Sequence, residues 1–241
     1  MRTASIFIKS WRADREWLSY CLRSIEKFCR GFEETVVAIA KIDKPHFEGF
    51  DFHGARVVWI DEPDDGRGYV RQQVSKLNAD AYTNSELIFY VDSDCFFTEA
   101  AFPCDFLSAG KPIALIRHWE DAGTAMAWKS VVQKFLTWEP TFEGMCALPF
   151  VIDRRVLQLL RVYALATHDI PIGKYILNQP GNDFSEFNVI SSFSQRFTPY
   201  LYDWQIANPE TDGFPRILKQ RWSWGGFKEE HREEYERILA Q

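Results

Sequence analysis

The chain lacks any apolar run approaching the ~18 residues that a membrane-spanning helix needs. It also lacks the basic segment, apolar segment and cleavage site of a secretory leader: Met1-Arg2-Thr3-Ala4-Ser5 leads straight into a strand-like Ile6-Phe7-Ile8. No membrane span and a cytoplasmic location are therefore expected. Glycine and proline number only 13 and 11 while 46% of residues are hydrophobic, which excludes collagen-like and disordered compositions. The five cysteines (Cys21, Cys29, Cys95, Cys104 and Cys146) are odd in number and form no Cys-x-x-Cys pair, as expected of small buried hydrophobes in a reducing compartment. There is no clustered Lys/Arg run, and acidic residues outnumber basic ones 34 to 28, which argues against a general polyanion binder. The five histidines (His46, His53, His118, His168 and His231) show no metal-ligand spacing.

Aromatic residues are plentiful, with 9 Trp, 9 Tyr and 20 Phe. Most belong in a core; an excess of Trp near a cleft also suits stacking on bases or sugars. A chain of 241 residues hides roughly 70–75% of its unfolded surface, enough for one large domain. No repeat, low-complexity tract or linker divides it, so residues 1–241 are expected to form a single domain.

The first half alternates strand and helix signals. Ser5–Trp11 predicts a strand, and Asp14 stands as N-cap of a helix whose Trp17, Leu18, Cys21, Leu22, Ile25, Phe28 and Cys29 share one face, closed at Gly31. Val36–Ala40 and Arg56–Ile60 are short β-branched strands. A second helix is expected over Gly68–Tyr82, with Tyr69, Val70, Val74, Leu77 and Ala81 on its apolar stripe and Arg71, Gln72 and Lys76 on or beside its polar side. Leu87-Ile88-Phe89-Tyr90-Val91 is unbroken apolar sequence, the mark of a central strand covered on both faces. The expected fold class is thus α/β, a mainly parallel central sheet flanked by helices. The second half is less regular: a strand near Pro112–Ile116, a helix capped by Asp153, another carrying Phe184 to Phe197, and a charged C-terminal helix over Lys228–Ala240.

The chemistry sits where the central strand ends, in Tyr90-Val91-Asp92-Ser93-Asp94-Cys95-Phe96-Phe97. Ligands of open α/β sheets bind beyond the carboxyl ends of the strands. Two carboxylates one residue apart there can turn toward one hard divalent cation, Mg²⁺ or Mn²⁺, that shares its shell with substrate phosphates. The alternative is a pair of solvated turn residues.

Here the chain resembles the GT-A glycosyltransferases, over roughly residues 5–106. The resemblance rests on the strand ending at Lys9-Ser10-Trp11, the helix Gly68–Tyr82, Asp92-Ser93-Asp94 with Phe96-Phe97, and the later Phe102-Pro103-Cys104-Asp105-Phe106. It implies a GT-A-like fold with a nucleotide-sugar half (1–106) and an acceptor half (107–241). It also implies a nucleoside-diphosphate sugar donor, a UDP-sugar first among them, framed by the first strand's end (Ser10, Trp11) and the helix before the motif. Asp92 and Asp94 would hold Mn²⁺ or Mg²⁺ on the diphosphate, or Asp92 would touch the ribose. The metal neutralises charge on the departing nucleoside diphosphate. The acceptor would be a hydroxyl on a glycan, a lipid-linked sugar or a small molecule; a modified DNA base finds no support in basic clusters.

Other residues follow with their plainer alternatives. Arg67, Arg71 and Lys76 would set a cation near the diphosphate, Arg71 foremost because it lies near the helix N-terminus; the alternative is a solvated polar face. Trp11 would stack on the base, or is a core aromatic. Glu186 or Asp183 would serve an inverting enzyme as general base, where Asp183-Phe184-Ser185-Glu186 otherwise reads as a capping box. His231 would add a third metal ligand, as a C-terminal histidine does in some GT-A enzymes; otherwise it is an exposed helical residue. Trp222 and Trp224 suit a lid, an acceptor platform or core packing.

A haloacid-dehalogenase-like phosphatase also opens on Asp-x-Asp after a hydrophobic strand, with Lys174 and Asp183 imitating its later motifs. Two features weigh against it. Ninety residues precede the motif, and Phe96 stands where its Thr is expected. A non-catalytic nucleotide-sugar-binding module of the same fold is the third reading.

Overall fold

A computed structural model describes residues 2–181, 183–207 and 217–241. In chain order the main elements are β1 (Ala4–Ser10), α1 (Arg15–Phe28), β2 (Glu34–Ala40), β3 (Arg56–Ile60), α2 (Gly68–Lys76), β4 (Leu87–Tyr90) and β5 (Cys95–Phe97). They continue with β6 (Leu107–Ser108), β7 (Lys111–His118), α3 (Trp128–Leu136), β8 (Phe142–Glu143), β9 (Phe150–Asp153), α4 (Arg154–His168) and α5 (Ile172–Leu177). The chain closes with α6 (Glu186–Phe197), β10 (Asp203–Ile206), β11 (Leu218–Gln220) and α7 (Glu229–Leu239). Among the described residues no helix is long and apolar enough to cross a membrane.

The fold is α/β. Its central sheet runs β3-β2-β1-β4-β9. The pairs β2–β3, β1–β2 and β1–β4 are parallel, with Phe7 opposite Tyr90, while β9 joins β4 antiparallel. All seven residues of β1 and all four of β4 are buried, so the apolar run at Leu87 does mark a strand covered on both faces. A smaller sheet in the second half pairs β10 parallel to β7, with β6 and β8 antiparallel on it. β11 returns to pair antiparallel with β5. That ribbon is pinned by α7, whose buried Tyr235 stacks on Phe96 with ring centroids 4.1 Å apart. Phe96 is therefore a core residue.

Several expected elements change at their ends. Asp14 precedes α1 but makes no capping bond, because a short 3-10 turn over Arg12–Asp14 leads into the helix and the Asp14 carboxylate is used elsewhere. α2 stops at Lys76 rather than reaching Tyr82, and a separate 3-10 turn covers Ala79–Ala81. The stripe is displaced as well. Tyr69 is exposed, while Gln73 and Lys76 are buried. Asp153 caps α4 as expected, its carboxylate accepting the Arg155 N–H.

One close approach ties the segment after β8 to α6. A Cβ added at Gly144 would lie 1.9 Å from Ser191 Oγ and 2.3 Å from Ser191 Cβ. Gly144→Ala is expected to lose about 1–3 kcal/mol through overpacking, measured by urea unfolding. Ser191→Gly in the same chain should recover most of that loss; no recovery would place the strain elsewhere.

Candidate active site

The carboxyl end of β4 opens into the turn Asp92-Ser93-Asp94, closed by Cys95 N–H donating to the Asp92 carbonyl at 3.1 Å. Ser93 reaches back to the end of β1, its hydroxyl donating to Ser10 Oγ at 2.8 Å, with both residues buried. Ser10, expected to contact substrate, is buried and accepts the bond that fixes the turn.

Asp92 and Asp94 face different neighbours. Lys76 Nζ lies 3.0 Å from Asp92 Oδ1 and 3.0 Å from Glu186 Oε1, and stands 4.4 Å from the Phe187 ring centroid. This lysine is buried at 3% exposure, and an ammonium there is tolerated only because two carboxylates and a ring face surround it. Burial alone would lower its pKa; Asp92 and then Glu186 outweigh that and raise it. Tyr90 Oη donates to the Lys76 carbonyl at 2.7 Å, and Gln73 Oε1 accepts the Glu186 N–H at 3.2 Å, so β4 and α6 both hold the end of α2. It is the last residue of the helix, not its N-terminus, that faces the motif.

Asp94 turns the other way, toward the residues after β11. Its Oδ2 accepts the Ser223 N–H at 3.0 Å and its carbonyl accepts the Arg221 N–H at 2.9 Å. Its Oδ1 is buried with no hydrogen-bond partner among the described residues. Burial raises the Asp94 pKa to about 7, with the Asp92 and Asp14 charges adding and the Ser223 N–H and Gln220 side chain opposing. Asp14 is raised to about 6, again chiefly by burial, with the Asp92 charge adding, although the Trp11 and Ser223 side chains bond to its carboxylate. Three carboxylates therefore share one field.

Other expected site residues lie elsewhere. Arg71 forms a two-pronged pair with Asp65, and the Arg67 guanidinium donates to the carbonyls of Leu177 and Gln179. Both arginines tie loops together, and of the three expected cations it is Lys76 that pairs with the acidic turn. His231 uses its Nδ1 to accept the Lys228 N–H at 3.1 Å, and its ring packs 5.0 Å from that of Trp17. Asp183 is exposed before α6 and pairs with none of the motif residues among those described. The capping box does not form either. Ser185 is the N-cap and Glu186 the first helical residue, so the Glu186 side chain is free to meet Lys76. Trp11 is half exposed, which excludes the core reading.

Sequence reasoning missed three residues. Asp14 is masked by its helix-starting position. Gln73 and Tyr69 precede Lys76 by three and seven residues on one face of α2, a pattern that reads as apolar-stripe register until Lys76 is known to be buried. Tyr69, partly covered although 41% of it is exposed, senses the site: that covering first, and then Glu186 and Asp92, raise its pKa to about 12, with Lys76 opposing.

The arrangement can accept a cation and a proton. Among the described residues no three His, Cys, Asp or Glu side chains converge as a ready-made metal site. The donor set still fits Mg²⁺ or Mn²⁺, which bind through one or two carboxylates and complete their shell with water and substrate phosphates. The unpartnered Asp94 Oδ1 is such a donor.

The Lys76 bridge has a measurable consequence. Lys76→Met keeps the stem but leaves Glu186 and Asp92 without their shared counter-charge, and is expected to cost about 3–5 kcal/mol in urea unfolding. A loss below about 1 kcal/mol would mean that the ammonium is dispensable to the fold.

No family model matches the chain, and no curated protein is detectably similar to it.

Proposed function

We propose that the chain is a metal-dependent glycosyltransferase of the GT-A type, moving a sugar from a nucleoside-diphosphate sugar, first of all a UDP-sugar, to a hydroxyl of a glycan or small-molecule acceptor. The observation that carries this reading is the Asp92-Ser93-Asp94 turn at the end of the central parallel strand, with a buried carboxylate oxygen left free on Asp94. Asp92 and Asp94 would hold a hard divalent cation, which would supply charge neutralisation on the departing nucleoside diphosphate. The residues of the chain do the rest. Lys76 orients Asp92 and Glu186 from between them. Glu186 offers a carboxylate to take the proton of the attacking acceptor hydroxyl. Trp11, half exposed, with its carbonyl accepting the Asp14 N–H at 3.1 Å, offers a ring face to a base.

The phosphatase alternative weakens, because Lys174 and Asp183 are both exposed and neither pairs with Asp92 or Asp94 among the described residues. A non-catalytic module would bind donor without turnover on any acceptor.

Thermal unfolding across a panel of nucleotide-sugars, with and without Mn²⁺, tests the reading. A ligand at one hundred times its dissociation constant adds ~2.7 kcal/mol of stability, and the shift is expected to vanish with chelator. No shift with any nucleotide-sugar in Mn²⁺ would sink the proposal.

A further inference from the structure

Trp222 and Trp224 are the most exposed tryptophans of the chain, at 62% and 84%. Their rings meet edge to face, with centroids 5.3 Å apart and planes at 76°. Such surface is usually buried, since leaving a large apolar side chain in water forgoes its burial energy. Here the backbone holds it out. The two residues flank Ser223, whose N–H is bonded to Asp94 Oδ2 at 3.0 Å. The indoles are therefore rooted at the mouth of the carboxylate cluster, on the Asp94 side, while Lys76 and Glu186 adjoin Asp92.

We propose that Trp222 and Trp224 form a platform for a neutral oligosaccharide, the acceptor of the transfer suggested above, whose outer sugar rings lie against the indoles. The proposal rests on that transferase reading for the word acceptor, and on the geometry for the carbohydrate. A ligand here must present apolar faces to two indoles and hydrogen-bond donors toward Asp94, which Ser223 between them holds and whose Oδ1 has no partner among the described residues. A pyranose ring has both, with C–H faces and a rim of hydroxyls. The net charge of −6 disfavours nucleic acid and anionic lipid surfaces. Since the platform adjoins Asp94 and the base candidate adjoins Asp92, the ligand is longer than one sugar.

The full chain is titrated with neutral oligosaccharides of glucose, of N-acetylglucosamine and of mannose, and with the corresponding monosaccharides, following tryptophan emission. At least one oligosaccharide is expected to change the emission saturably and to bind more tightly than its monosaccharide. Trp222→Ala and Trp224→Ala should each weaken it roughly tenfold at an unchanged melting temperature. No saturable change in any series, or a change that survives in the double variant, overturns the platform. A parent that self-associates where the double variant is monomeric overturns it too, because a second copy would then cover the indoles. UDP with Mn²⁺, titrated by calorimetry into the same preparations, tests the donor reading separately. Sugar binding without nucleotide binding keeps the platform and removes the transferase; nucleotide binding without sugar binding does the reverse.

Discussion

Asp94→Asn is expected to fold, to be more stable than the parent near pH 8, and to bind no nucleoside diphosphate in a Mn²⁺-dependent manner. Burial raises Asp94 from 3.8 to about 7 and Asp14 to about 6, so the folded chain keeps protons that the unfolded chain has released. The stability associated with those protons is complete below the unfolded value of 3.8 and is lost as pH rises through 6 to 7. Above that range the native state carries an ionised, buried carboxylate. Asparagine removes the charge, keeps an oxygen for the Ser223 N–H, and should recover up to about 4 kcal/mol near pH 8. Near pH 5 parent and variant should approach each other. Urea unfolding at both pH values, together with UDP binding with and without Mn²⁺, checks the two halves. A variant that is less stable at both pH values and still binds UDP with Mn²⁺ would make Asp94 a structural residue.

The second large effect belongs to Glu186→Gln. If this carboxylate takes the acceptor proton, the variant should bind donor as the parent does and lose transfer by roughly 10²–10⁴-fold at saturating donor. Donor hydrolysis by water is expected to survive. Structure sharpens this test, because the helix-capping alternative is gone: Ser185 is the N-cap, and Glu186 contacts Lys76 instead. A glutamine oxygen can still accept from Lys76, and Asp92 remains as its counter-ion, so the variant should stay folded. A loss below about tenfold in the acceptor-dependent rate would hand the role to another group or to a retaining mechanism without a side-chain base.

Much of the α/β frame is legible in the chain because its signals are local. Arg56–Ile60 and the run from Leu87 declare strands by composition, and Asp153 declares its helix by capping chemistry. The two aspartates are legible for the same reason, since they follow a strand that has to be central. What stays hidden depends on residues far apart. Lys76 looks like a polar-face lysine until Asp92 and Glu186, from two other elements, arrive to neutralise it. Asp14 sits where an N-cap belongs, and only its setting among Trp11, Ser223 and Asp92 shows another use. His231 falls into a tail that reads as polar, yet its ring packs on Trp17 and its nitrogen closes the start of α7. Arg67 and Arg71 have the charge for a diphosphate, but Asp65 and nearby carbonyls claim them first.

The return of β11 to β5 carries a consequence for the order in which the molecule assembles. Ser223 reaches Asp94 across 129 residues of sequence, and Arg221 arrives by the same route. Contacts so distant along the chain form slowly, because the intervening segment must first be closed into a loop. The parallel strands β1, β2 and β3 lie within the first sixty residues and need nothing from the C-terminal quarter. During synthesis these strands can pair while the Asp92-Ser93-Asp94 turn still lacks its last backbone donors. The acidic turn is thus completed only once a segment more than a hundred residues further along the chain has closed back onto it.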